Sequence, residues 1–168
     1  MSEIVFPTAL LSASGSASAA YDVATTITRP ANATPYTASD ALGGALTLGV
    51  LGPSGGGILL TDVELEYDVA ALPTGFTAAL ALYSVTPPSA FADNAAWDIP
   101  SGDRASFLDY ITLVTPTDYG STLYSRTSGL NRQIKLAGTN LFAYLVVGAF
   151  TPAGNSEVLK LTVHTVAI

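Results

Sequence analysis

Cysteine is absent from this chain, and the other residues that carry most chemistry are nearly so. In 168 residues there is one His, one Met, one Trp and only 19 charged side chains, six basic and 13 acidic. Without cysteine there is no disulfide framework, which fits folding in a reducing cytoplasm. Catalysis usually recruits His, Cys or converging carboxylates. The scarcity of that set points away from an enzyme, and no residue is assigned a catalytic, cofactor or metal role. Charged residues make up 11% of the chain, against about 25% in an ordinary soluble domain. A monomer uses charge to keep its surface wet and to resist association, so much of this surface is expected to be covered in an assembly. The net charge of −7 and the six scattered basic residues exclude nucleic acid as a partner, because such binders need clustered Lys and Arg.

Long hydrophobic runs are also missing. Ala41 to Thr61 is uncharged, but seven glycines and Pro53 interrupt it. A membrane span needs roughly 20 mostly apolar residues in continuous helix. Leu141–Phe150 is apolar but too short. The start, Met1-Ser2-Glu3, has no basic stretch, so no secretory leader and no membrane partner are expected.

What is present is a pattern of short strands. Ten prolines punctuate runs rich in Thr, Val, Leu, Tyr and Ile, which are strand signals bounded by turn signals. Strands are expected near 21–29, 45–51, 57–70, 76–86, 109–115, 120–126, 131–136, 141–150 and 157–167. A short helical turn is expected at Asp103–Tyr110. Together these predict one all-β domain over 21–168, an antiparallel β-sandwich of jelly-roll-like form. An extended N-terminal arm over residues 1–20 precedes it. That arm carries apolar anchors Ile4, Val5, Phe6, Leu10 and Leu11, followed by a Ser/Ala/Gly tract of linker composition. The anchors are expected to dock on a neighbouring subunit, the alternative being a disordered tail.

The clearest strand runs from Asp62 to Val69. Period two puts Val63, Leu65, Tyr67 and Val69 on one face and Asp62, Glu64, Glu66 and Asp68 on the other. The acidic side is open to three readings: a solvated face that keeps the sheet from aggregating, a strip for a basic partner, or a Ca²⁺ site. The last suffers because a flat strand cannot wrap an ion. Leu141–Phe150, continuous and apolar, suits a strand covered on both faces or a subunit interface. Trp97 lies among Asp93, Asp98 and Asp103. Paired carboxylates serve glycoside hydrolysis and Trp97 could stack on sugar, but turn chemistry and a packing role explain the same residues. His164 alternates on the more polar face of the last strand with no nucleophile motif near it. Gly52–Gly57 lacks the Lys and helix of a phosphate loop and reads as a mobile hairpin connection.

Several short motifs then appear in a recognisable order. They are Ile27-Thr28-Arg29-Pro30-Ala31-Asn32-Ala33-Thr34-Pro35-Tyr36, Tyr83-Ser84-Val85-Thr86-Pro87-Pro88, Asp93-Asn94-Ala95-Ala96-Trp97, Pro100-Ser101-Gly102-Asp103-Arg104-Ala105, Gly120-Ser121-Thr122-Leu123-Tyr124 and Leu161-Thr162-Val163-His164-Thr165. Over roughly residues 20–168 the chain resembles small structural proteins of tailed bacteriophages, those associated with the head as decoration, or cement, proteins. The resemblance implies a jelly-roll-like sandwich on the outer surface of an assembled virion shell. It implies the major capsid protein and further copies of the chain, as dimer or trimer, as partners, and no catalytic residues. Two other readings stay open: a tail, fibre or receptor-binding virion module, and a carbohydrate-binding, lectin-like domain. The interface residues expected are Ile4, Val5, Phe6, Leu10, Leu11, Asp62, Glu64, Glu66, Asp68 and Trp97.

Overall fold

The computed structural model describes residues 19–168. The arm anchors Ile4, Val5, Phe6, Leu10 and Leu11 lie outside the described residues. Eleven strands follow in order: β1 Ala20–Thr28, β2 Asp40–Leu48, β3 Gly57–Tyr67, β4 Ala78–Tyr83, β5 Ala95–Ala96, β6 Phe107–Thr112, β7 Thr117–Asp118, β8 Leu123–Thr127, β9 Arg132–Lys135, β10 Leu141–Val147 and β11 Val158–Ala167. Every pairing is antiparallel, and no helix occurs among the described residues.

The strands form two sheets. One runs β1-β11-β3-β8-β7, with β9 beside the first half of β3, in line with β8; the other runs β5-β2-β10-β4-β6. Chain neighbours β1, β2, β3 and β4 fall in alternate sheets, as do β9, β10 and β11. This is the jelly-roll arrangement of a double-sheet sandwich. The alternation of β3 faces as the sequence predicts: Val63, Leu65, Tyr67 and Val69 are buried, Asp62, Glu64 and Glu66 are half-exposed, and Asp68 is exposed. Opposite them β11 sends in Leu159, Leu161 and Val163. The second sheet answers with Leu42, Leu46 and Leu48 of β2, Leu80 and Leu82 of β4, and Leu145 and Val147 of β10. At one end Tyr36 stacks on Phe150, with ring centroids 4.9 Å apart.

Three local expectations are corrected. Residues 103–106 are turns, and the strand expected near 109–115 begins earlier, as β6 Phe107–Thr112, so no helical turn forms over Asp103–Tyr110. Pairing with β4 satisfies its backbone on one side, and that tertiary pairing outweighs local helix preference. Gly52–Gly57 does not join paired strands but crosses from β2 in one sheet to β3 in the other. The crossing is tied down by hydrogen bonds from Leu51 N to Thr139 O, 2.9 Å, and from Gly55 N to Gly138 O, 3.0 Å. Strand β2 starts at Asp40, five residues earlier than expected, and runs through Gly43-Gly44. These glycines, read as breakers, form a bulge: Ala45 pairs Tyr144 while Leu42 pairs Leu145. Both adopt positive φ, +78° and +77°, which costs glycine little.

The bulge gives a direct test. A Cβ at Gly43 would overlap Ile27 Cγ2 of the core, in a left-handed backbone conformation. Gly43→Ala is expected to cost about 1–3 kcal/mol of stability. Gly102→Ala, whose Cβ would meet nothing within 4 Å, serves as the neutral control. Urea denaturation of both variants reads the difference.

Candidate functional site

The acidic strand sits at the centre of the first sheet's outer face, and its neighbours supply cations in register. Arg126 on β8 pairs across to Glu64; its Nε donates to Asp62 Oδ1 and its Nη1 to Glu64 Oε1, both at 3.2 Å. Lys160 on β11 pairs across to Glu66 and donates to it at 2.8 Å. His164 lies between two acids, with Nδ1 2.7 Å from Asp22 Oδ1 on β1 and Nε2 3.5 Å from Glu64 Oε1. The hydrogen bond from Arg126 is the chief reason that the Asp62 carboxyl is held below its ordinary pKa. The face is thus a ladder of cross-strand pairs of the kind that stabilises sheets, with carboxylates still in excess. Asp68 lies just past the end of β3, exposed to solvent.

The second sheet has an apolar outer face. Ala41, Ala81, Tyr83, Tyr144 and Val146 form a second buried cluster, packed against by Phe91, Trp97, Phe107 and Phe142. The cover is the segment 84–106, which leaves β4, folds over the sheet and returns as β6. Trp97 Nε1 donates to Tyr83 Oη at 3.1 Å, and Tyr144 Oη donates to Ser89 O at 2.5 Å. The Trp97 ring stacks on Tyr110, with centroids 5.4 Å apart. The apolar run of β10 is therefore covered on both faces by its own chain, one of the two outcomes its composition allows. Asp93, Asp98 and Asp103 form no shared site. Asp93 Oδ1 accepts from Tyr36 Oη and Gly43 N, both at 2.7 Å. Asp103 is buried and accepts from Ser89 N at 3.1 Å, while Asp98 is exposed.

A buried polar network closes the end of the sandwich and was not anticipated. Arg29, just past β1, is 2% exposed. Its Nε donates to Tyr36 Oη at 2.9 Å, and its Nη1 donates to Glu157 Oε2 at 3.2 Å. Tyr67 Oη donates to the same Glu157 oxygen. Burial, reinforced by the acceptor Asp93, pushes the Tyr36 hydroxyl up to about 12. Burial and Glu157 raise Tyr67 further still. The signal in the sequence was thin: an Arg-Pro step at a strand end and one acid just before an apolar strand. Among the described residues no group of three or more His, Asp or Glu is placed to hold a metal ion.

No family model matches the chain, and no curated protein matches it. Among solved structures it is similar to a chain of the cyanophage Pam1 capsid asymmetric unit, with 14% identity and a TM-score of 0.38, covering 90% of this chain and 86% of that one. It is similar to a chain of Desmodium yellow mottle tymovirus, with 13% identity and a TM-score of 0.30, covering 99% and 94%. Cocksfoot mottle virus gives 12% identity and a TM-score of 0.29, covering 89% and 95%. At this level of overlap the likeness carries no functional inference.

The tyrosine network makes stability fall at high pH. The folded state favours neutral Tyr36, whose pKa is about 12 against an ordinary value near 10. Its contribution is complete below pH 10 and is lost as pH climbs through 12. Two units correspond to about 3 kcal/mol. Urea midpoints measured across that window should drop steeply for wild type. They should drop less for Tyr36→Phe, which starts from a lower stability because Arg29 and Asp93 lose a partner.

Proposed function

We propose that this chain is a structural component of a virion, specifically a decoration (cement) protein on the outer capsid surface of a tailed-phage head. It is made in the host cytoplasm, bridges capsomers of the major capsid protein, and works mechanically. Each copy adds buried area across a seam that internal pressure tends to open, and a specific interface of this kind buries about 1,200–2,000 Å² in total.

The placement of charge carries this reading. Enzymes gather titratable groups in a concavity. Here the main set of solvent-facing charges, Asp22, Asp62, Glu64, Glu66, Arg126 and Lys160, is spread over a flat sheet face in cross-strand pairs. The groove that holds Asp109, Arg132 and Lys135 gathers no set of converging carboxylates. A jelly roll also serves lectins and cupins, so the fold alone does not choose among them. The chain's single His has two acid neighbours on a flat sheet face and no second imidazole to build a metal site. Trp97, the one candidate for stacking on a sugar, spends its N–H on Tyr83 and one ring face on Tyr110. The resemblance of the motif order to head decoration proteins supports the same assignment. Ile4, Val5, Phe6, Leu10 and Leu11 provide an apolar arm for a neighbouring subunit, and the acidic face offers a second contact for a basic patch on the shell.

The purified protein should co-sediment with heads lacking tails and raise the temperature at which they rupture. Its binding should weaken with salt, because exposed charges are screened within about 8–10 Å near physiological ionic strength. Glu64→Gln combined with Glu66→Gln should slow association more than it speeds dissociation. Identical binding by the double variant at low and high salt removes the acidic face from the contact. Binding to host cells or glycans without any binding to heads overturns the shell reading.

A further inference from the structure

One side of the sandwich is left open. At the other, β1 and β2 approach and Thr25 Oγ1 donates to Thr47 O at 3.2 Å. At the open side, β6 is the edge of one sheet and β9 lies at the edge of the other, and among the described residues each has a strand partner on one side only. Between them runs a groove of about 500 Å³ lined by Leu108, Asp109 and the stretch 131–135. A single ion pair spans it, from Arg132 Nε to Asp109 Oδ2 at 3.0 Å. Leu108 is 39% exposed there. An unpaired strand edge of this kind is a template for an added strand.

We propose that this groove receives residues 4–11 of a second copy of the chain as an added strand antiparallel to β9. The inference rests on the reading of that segment as a docking arm, and it names the surface that accepts it. Three observations select the occupant. The first is charge. In a chain of net charge −7, the groove is locally positive, with Arg132 and Lys135 against Asp109. Glu3 is the one charged side chain in residues 1–18. An antiparallel strand brings Glu3 to the Lys135 end. With period-two alternation, Ile4 and Phe6 share one face of the added strand and can turn together to the groove that exposes Leu108.

The second is the position of the arm's root. Ala20 pairs Val166, Val166 pairs Leu59, and Leu59 pairs Gln133, so the root and the Lys135 end of β9 share one end of the sheet. They stand three strand spacings apart, about 14 Å. Residues 12–18 reach roughly 23 Å when extended, so a chain can reach its own groove. It would then enter at Lys135 and lie parallel to β9, in a sheet where every other pairing is antiparallel. Parallel pairs are the weaker kind. A second copy entering from the opposite end restores the antiparallel sense.

The third is backbone direction. Leu130 N and Leu136 N donate toward β3, so by alternation the N–H groups of Gln133 and Lys135 face the groove. Pro7, which lacks an N–H, is tolerated on an added edge strand. Reciprocal exchange of two arms closes a twofold dimer.

Sedimentation velocity on three forms of the chain tests this. They are the wild type, a variant lacking residues 2–14, and a full-length variant with Leu108→Lys and Gln133→Pro, each first shown to be folded by circular dichroism. The wild type should dimerise and each variant alone should sediment as a monomer. An equimolar mixture should form a weaker heterodimer, because one variant keeps an empty groove and the other a free arm. If Gln133→Pro does not fold, Leu108→Lys alone should weaken dimerisation. A monomeric wild type, undiminished association of either variant, or a mixture that stays monomeric overturns the proposal. So does a paramagnetic label at residue 6 that broadens β9 amides within a monomer, which identifies docking in the chain's own groove. Head binding measured on the same proteins separates the two readings. Heads bound without arm exchange overturn only this inference, and arm exchange without head binding overturns only the shell assignment.

Discussion

The buried pair of Arg29 and Glu157 holds the architecture together at one end. Arg29 follows β1 and Glu157 precedes β11, and their backbones are also joined, Arg29 N to Glu157 O at 2.9 Å. Through Tyr67 the pair reaches the end of β3, and through Tyr36 and Asp93 it reaches the bulge of β2. Both sheets and the covering segment therefore meet in one set of hydrogen bonds. A buried pair gains little stability over an apolar replacement, yet breaking one by removing a partner costs about 3–5 kcal/mol. Its value lies in allowing a single arrangement of the strand ends that converge on it.

The two outer faces differ sharply. The first sheet turns its charges to solvent in cross-strand pairs, with Arg126 shared by Asp62 and Glu64. The second sheet is apolar outside as well as inside, and the chain covers it with its own segment 84–106, pinned through Trp97, Tyr83 and Tyr144. The result is two layers with a third partial layer, and one of its exposed apolar stretches lies along β6 and the loop that follows, at Leu108, Tyr110 and Val114.

Much of this was legible in the sequence, and the reasons are particular. The facing of β3 could be read because acid and apolar residues alternate there without a fault, and a one-residue slip would bury its carboxylates. The sandwich could be read because turn residues separate strand-like runs throughout. Gly43-Gly44 misled because a bulge and a break look alike until the partner strand is known. The start of β6 misled because Phe107 and Leu108 are too few residues to declare a period, and the partner β4 lies beyond the covering segment. The cations that neutralise the acidic strand, Arg126 and Lys160, come from strands roughly 60 and 95 residues away; no local pattern announces them.

The alternation of strands between sheets also shapes how the chain must fold. Among the long strands, only β4 and β6 are both consecutive in the chain and paired, and even they are separated by the covering segment. Apart from the short β7–β8 pair, the pairings therefore do not form as simple local hairpins. Chains dominated by such distant pairings fold in milliseconds to seconds rather than microseconds. During that interval β4 and β10 are strands with two oily faces and no cover. The segment 84–106 is thus also a shield, and a chain that has not yet closed it exposes that face to aggregation.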